Sequence, residues 1–161
     1  MKKLFASDKI YISESGIPKA GRGVFAANNI KKNEVIERCP IILVPKKDVS
    51  NLKESILVEY YFYFGKDNEM LAVALGFGSI YNHSYQPNAI YKKQIKENLI
   101  DFVAIKNIKK GEEIIVNYNY GDPDDKTRLW IKKIPPYKKD KQVLTSSNPQ
   151  RIFVLSVQAL K

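Results

Sequence analysis

Asn82-His83-Ser84-Tyr85-Gln86-Pro87-Asn88 holds the chain's only histidine between two asparagines, directly after a small and apolar run at 70–80. Asparagine and serine side chains are short enough to bond their own backbone, and Pro87 biases Gln86 away from helix, so the stretch reads as a rigid polar loop. It emerges straight out of Ala72-Val73-Ala74-Leu75-Gly76-Phe77-Gly78-Ser79-Ile80. Burial is therefore expected, and buried amides and imidazoles need partners. Taken alone, His83 reads first as a hydrogen-bonded core histidine. One His and one Cys, distant in sequence and without further ligands at the usual spacings, make a poor zinc shell, and no metal is expected.

Working outward, the 161 residues and 44% hydrophobic content suit one domain with room for a docked tail. No apolar run approaches the roughly eighteen residues of a membrane helix, and the N-terminus turns polar at Ser7-Asp8-Lys9, which predicts a soluble intracellular protein. Cys39 stands alone, so no internal disulfide is expected. The formal charge of +10 is uneven. Lys126, Arg128, Lys132, Lys133, Lys138, Lys139 and Lys141 face one nearby acid, Asp140, a pattern that suits a polyanion such as nucleic acid and equally a solvated lysine face.

Short strands are expected over 10–13 and 24–27, separated by a loop with Gly16, Pro18 and Gly21. The stretch 34–44 reads as a strand pair or one bent strand, with Pro40 at an edge or bend. Apolar residues Ile56, Leu57, Tyr60, Tyr61 and Phe64 suit a helix by spacing, while 60–64 suits an aromatic strand equally well. Clearer strands are expected at 88–92, 99–105 and 113–118, with 93–98 as a hairpin turn. The stretch 105–113 repeats the pattern of 26–34, an apolar strand end followed by a polar turn and an acidic start. Asn148 and Pro149 resemble a helix start, so a short C-terminal helix is expected, with a strand at 152–157 as the alternative.

Many short strands and three polar motifs in order, Gly21-Arg22-Gly23, then 82–88, then Gly111-Glu112-Glu113-Ile114 followed by Tyr118, resemble the SET-domain lysine methyltransferases. The middle motif matches the family's Asn-His-Ser-X-X-Pro-Asn completely. The resemblance covers about 10–121, and 74–84 looks especially like the small SET proteins of chlorella viruses, with prokaryotic relatives equally close. It implies a mainly β fold of small curved sheets, the β-clip, with a pseudoknot that lays the segment near Tyr118 beside Asn82 and His83. A SET domain at 8–121 and a covering C-terminal segment at 122–161 would follow, the latter with the short tail helix.

The resemblance further implies S-adenosylmethionine as cofactor and the side-chain amine of a protein lysine as substrate. On that pattern Gly21, Arg22 and Gly23 shape the cofactor pocket, Asn82 and His83 hold the cofactor through backbone and amide hydrogen bonds, and Tyr118 is the active-site tyrosine, also in contact with the cofactor. Tyr81, Tyr91, Val116 and Tyr120 are candidates for the walls of the lysine channel, against ordinary packing. The family's cysteine-rich zinc tail is absent, and Trp130 is the candidate to cover the cofactor instead. Asp122, Asp124 and Asp125 either attract a basic peptide or form a solvated turn. The implied partner is a basic protein tail, a histone among others, in the cytoplasm or nucleus according to source. Oligomeric state is open, a dimer included. The competing reading is a SET-like module that no longer catalyses and binds a partner, nucleic acid among them.

Overall fold

The β-branched and aromatic residues at 10–12 and 24–25 suit extended backbone, and 10–14 and 22–26 form an antiparallel pair, β1 (Ile10–Glu14) and β2 (Arg22–Ala26), in register from Ile10 opposite Ala26 to Glu14 opposite Arg22. The residues described by this computed structural model are 3–119 and 121–129. The stretch with Pro40 is one strand, β3 (Val35–Val44), that changes neighbours at the proline. Its first part, up to Pro40, pairs with a later strand, and Ile41 to Val44 pair with another. A proline has no N–H to give a ladder, so it sits where one pairing ends and the next begins.

The ambiguous segment resolves in favour of the aromatic strand, and the helix that the spacing over 56–64 also suited does not form. A one-turn helix, α1 (Val49–Lys53), and a 3-10 turn at Ile56–Glu59 precede an aromatic strand, β4 (Tyr61–Phe64). β4 pairs with β5 (Met70–Ala74), and Phe62 reaches the core, where its ring meets Tyr91 and Phe102 edge-on at 5.1 and 6.4 Å. That contact explains the strand, because only a period of two puts Phe62 inward with Tyr61 and Tyr63 on the other side. After β5 come the two-residue β6 (Asn82–His83), β7 (Ala89–Gln94), β8 (Leu99–Ala104) and β9 (Glu113–Val116). β7 and β8 form the expected hairpin, turned by Ile95–Glu97 with Asn98 left-handed at φ 53.

Among the described residues the strands make two sheets, in orders β1-β2-β9-β6 and β4-β5-β3-β8-β7. The architecture is mainly β, as expected, and the core between the sheets is built on Phe64, Phe102, Ile36, Ile100 and Ile114, all fully buried. The tail helix or strand expected beyond residue 148 lies outside the described residues.

The internal repeat becomes a local two-fold. Ile30 and Ile108 exchange both backbone hydrogen bonds, at 2.8 and 2.9 Å. The carboxylates of Glu34 and Glu112 each accept from a lysine N–H three residues back, Lys31 and Lys109, at 2.9 Å. Asn29 and Asn107 each accept from the other turn, at 2.9 Å, from Lys110 and Lys32. Asn33 and Gly111 take the equivalent left-handed positions, φ 70 and 81. This clasp fixes the start of β9, which then runs between β2 and β6 toward the motif loop.

Candidate active site

The parallel pairing of β6 with β9 sets Asn82 opposite Ile115 and His83 opposite Val116, so the two distant motifs lie side by side. Asn88 locks them. Its amide donates to the Glu113 carbonyl and accepts from the Ile115 N–H, both at 2.8 Å, and the residue is buried. Pro87 in front of it keeps the loop out of helical geometry, which is why both ends of the amide reach β9 backbone. The Ser84 N–H continues the pairing to the Val116 carbonyl at 2.9 Å.

The Asn82 amide nitrogen is committed within the protein: it donates toward the Arg22 carbonyl (2.9 Å), Glu113 Oε1 (2.8 Å) and Ser15 Oγ (3.2 Å). Glu113 also takes the Ser15 hydroxyl and the Gly16 N–H. This knot needs Gly23, because a Cβ there would fall 2.2 Å from the Glu113 carboxylate oxygen. Gly21 differs: its φ of +76 makes the turn into β2, with nothing near the missing side chain. Arg22 is exposed at the start of β2.

His83 Nδ1 accepts the Tyr118 N–H at 3.2 Å. That bond requires the neutral tautomer with its proton on Nε2, and Nε2 is buried without a partner among the described residues. Burial holds the imidazole below its ordinary pKa, which favours the same neutral form. Tyr85 stands edge-on to the ring at 4.5 Å, and Tyr118 lies tilted at 5.2 Å.

Tyr118 donates its hydroxyl to the Tyr81 carbonyl at 2.6 Å. Desolvation first, then the nearby Tyr60 and Glu59, push the phenol's pKa well up, so it remains a neutral donor. The residue is still 36% exposed, and it lines a cavity of about 310 Å³. The wall of that cavity runs from Val58 through Tyr63, then Tyr81, Tyr91, Val116 and Tyr118, and closes with Asn119 and 127–129.

Of the residues expected from sequence, the fold brings Tyr81, Tyr91, Val116 and Tyr118 to this one cavity, while Asn82 and His83 lie beside it on β6 and Gly21, Arg22 and Gly23 stand on the adjoining strand β2. The Tyr81 hydroxyl points away to Glu37 Oε2 at 3.0 Å, and its ring stacks on Phe102 at 4.2 Å. Tyr91 donates to the Tyr118 carbonyl at 3.3 Å. Tyr120 and Trp130 lie outside the described residues.

Sequence reasoning missed the aromatic wall 58–63 as a site element, since its apolar spacing gave no more than helix or strand. It also missed the clasp on the C-terminal segment. Asn117 donates to the Asp125 carbonyl (2.6 Å), Asn119 to the Thr127 carbonyl (2.7 Å), and Tyr85 to the same carbonyl (3.1 Å). Gly121, at φ +81, permits that path, because a Cβ there would meet the Tyr91 carbonyl at 2.8 Å. Two of the three acids expected near the mouth serve the turn: Asp122 accepts from the Asp124 N–H and Asp125 from the Thr127 N–H. Asp124 is exposed. Among the described residues no group of three or more His, Cys, Asp or Glu is placed to hold a metal, and no helix is long and apolar enough to cross a membrane.

A family model described as SET domain matches residues 21–119, more than half of the chain. The histone-lysine N-methyltransferase of Schizosaccharomyces pombe specific for H3 lysine-37 is 31% identical over 100 residues, covering 62% of this chain and 67% of that protein. Among solved structures, a Plasmodium falciparum protein described as a candidate histone methyltransferase is 36% identical at a TM-score of 0.57, covering 70% of this chain and 94% of that one. Polycomb repressive complex 2 of Chaetomium thermophilum, autoinhibited and bound to S-adenosylmethionine, gives a TM-score of 0.61 at 24% identity. That likeness is one of fold, over 73% of this chain and 16% of the much longer chain.

Proposed function

The chain belongs to the SET-domain family, and from that premise we propose that it transfers a methyl group from S-adenosylmethionine to a lysine side chain of a basic protein, a histone by the name of its yeast relative. The observation that carries the reading is the position of Tyr118. Its backbone is bound to the motif histidine, its hydroxyl is fixed on the Tyr81 carbonyl, and its ring walls an aromatic cavity.

The cofactor supplies an electrophilic methyl on a positively charged sulfur. The chain has the features of a holder for such a group: the buried His83 Nε2–H is a donor without a partner among the described residues, and Gly21 leaves the adjoining backbone open to close approach. Asn82 serves that holder indirectly, since its amide nitrogen orders the Arg22 carbonyl and β9.

Substrate chemistry asks for two things, alignment and a neutral amine. Methyl transfer is an in-line displacement, so a rigid channel that fixes donor and acceptor supplies much of the rate. A free lysine of pKa near 10.4 is neutral about once in a few thousand molecules at pH 7, a deficit of roughly 4 to 5 kcal/mol. Phe62, Tyr91 and Tyr118 give the amine an aromatic surrounding, which disfavours ammonium and reduces that deficit. Among the described residues β4 is at the edge of its sheet, where an extended peptide that delivers the lysine could lie. With a histone as substrate, the proposed place of action is chromatin, in the nucleus of a eukaryotic cell.

Tyr118→Phe tests the reading: methyl transfer to histone tails should fall by about two orders of magnitude or more, with circular dichroism unchanged and stability lower by no more than about 1 to 2 kcal/mol for the lost hydroxyl bond. Unaltered turnover overturns the assignment. Calorimetry with S-adenosylmethionine separates an enzyme from an inert binding module, which should give no saturable heat.

A further inference from the structure

Glu59 ends the 3-10 turn in front of β4 and lines the same cavity as Tyr118. Its Oε2 is shielded from solvent and has no hydrogen-bond partner among the described residues. The ion pairs found there, Lys9–Glu34 and Arg38–Asp101, are elsewhere, and Arg128, a cation of the same wall, makes no salt bridge to it. A carboxylate oxygen kept from water without a partner is costly, so the position makes sense as half of a pair completed by something that binds.

The inference rests on the lysine methyltransferase reading, which offers two cations for this acid. One is the reacting amine. It must be neutral to attack, and a carboxylate touching it favours the ammonium form. The other is a side chain next to the target. Arginine suits it best: it stays charged at any working pH and presents a planar fork to a carboxylate. A chain of formal charge +10 also needs a local acid to hold a basic peptide at all.

We propose that Glu59 is the residue that recognises a positively charged side chain, arginine by preference, neighbouring the target lysine of the substrate. The acid thus selects sequence context at the cavity wall, while the aromatic residues around it receive the reacting amine.

The test uses the full chain and two peptides with one lysine, flanked in one by arginine and in the other by citrulline, its neutral isostere. Binding is followed by fluorescence anisotropy and methyl transfer by mass spectrometry. Wild type should favour the arginine peptide about tenfold, through binding and KM rather than kcat. Glu59→Gln should lose that preference, and Glu59→Asp should keep part of it. An equal preference in wild type and Glu59→Gln, or none in wild type, overturns the proposal. Charge-selective binding that depends on Glu59 but yields no methyl transfer supports the recognition and overturns the proposed activity instead.

Discussion

In the motif loop at 82–88 the amides are tied into the fold: Asn88 holds two backbone groups of β9 and the Asn82 amide nitrogen has acceptors on three sides. Across the cavity, the wall at 58–63 is aromatic, and its acid, Glu59, has an oxygen with no partner among the described residues. His83 stands at the border, one nitrogen bound to Tyr118 and the other free of partners among the described residues. The contrast teaches which polar groups serve the scaffold and which are left for a ligand. A buried group that is fully bonded rigidifies; one left unbonded costs stability until something fills it.

Substitutions in the loop should therefore act on stability. Asn88→Ala removes both bonds of a buried amide and strands a carbonyl and an N–H of β9, which should cost about 3 kcal/mol, read by urea denaturation. A loss below about 1 kcal/mol would break the comparison. Gly23→Ala drives a methyl against the Glu113 carboxylate and the Asn82 amide, at 2.2 and 3.1 Å. Expected is a loss of about 2 kcal/mol, together with weaker cofactor binding by calorimetry, since the Arg22 carbonyl moves with the knot.

Tyr81→Phe asks which side of the contrast this residue belongs to. Its hydroxyl bonds Glu37, away from the reacting end, so stability should fall by about 1 to 2 kcal/mol while kcat stays within about twofold of wild type at permissive temperature. A large kcat effect would move Tyr81 into the chemistry.

The smallest expected effect belongs to His83. Its folded pKa lies below the ordinary value because of burial, so the unfolded chain binds the proton more readily. The contribution is complete above about pH 6.5 and is lost as pH falls through the window between that value and the lower folded pKa. Protonation also removes the Nδ1 acceptor of Tyr118. Since the chain has no other histidine, denaturation curves at pH steps across that window should show a slope that His83→Asn abolishes.

Reading the strands required little beyond side-chain pattern. The stretches expected at 10–13, 99–105 and 113–118 stood out because β-branched and apolar residues lie between turn formers, and strands form there at 10–14, 99–104 and 113–116; the repeat at 26–34 and 105–113 was visible as repeated letters before it became a two-fold clasp. The segment 52–64 could not be settled in the same way. Its apolar spacing fits two periods, and Phe62 meeting Tyr91 and Phe102 decides between them. Pro40 marked a break without saying that β3 continues through it to a second neighbour.

The candidate site divides along the same line. Sequence alone determined the polar motifs and the tyrosine at their end, because unusual side chains at close spacing leave a mark that composition cannot imitate. Tertiary structure alone decided that Val58 to Tyr63 lines one cavity with Tyr118, that Glu59 Oε2 lacks a partner among the described residues, and that Asn117 and Asn119 pin 125–127 across the opening. The physical reason is that an aromatic residue looks the same in a core as in a cavity, and a backbone carbonyl as acceptor has no letter of its own.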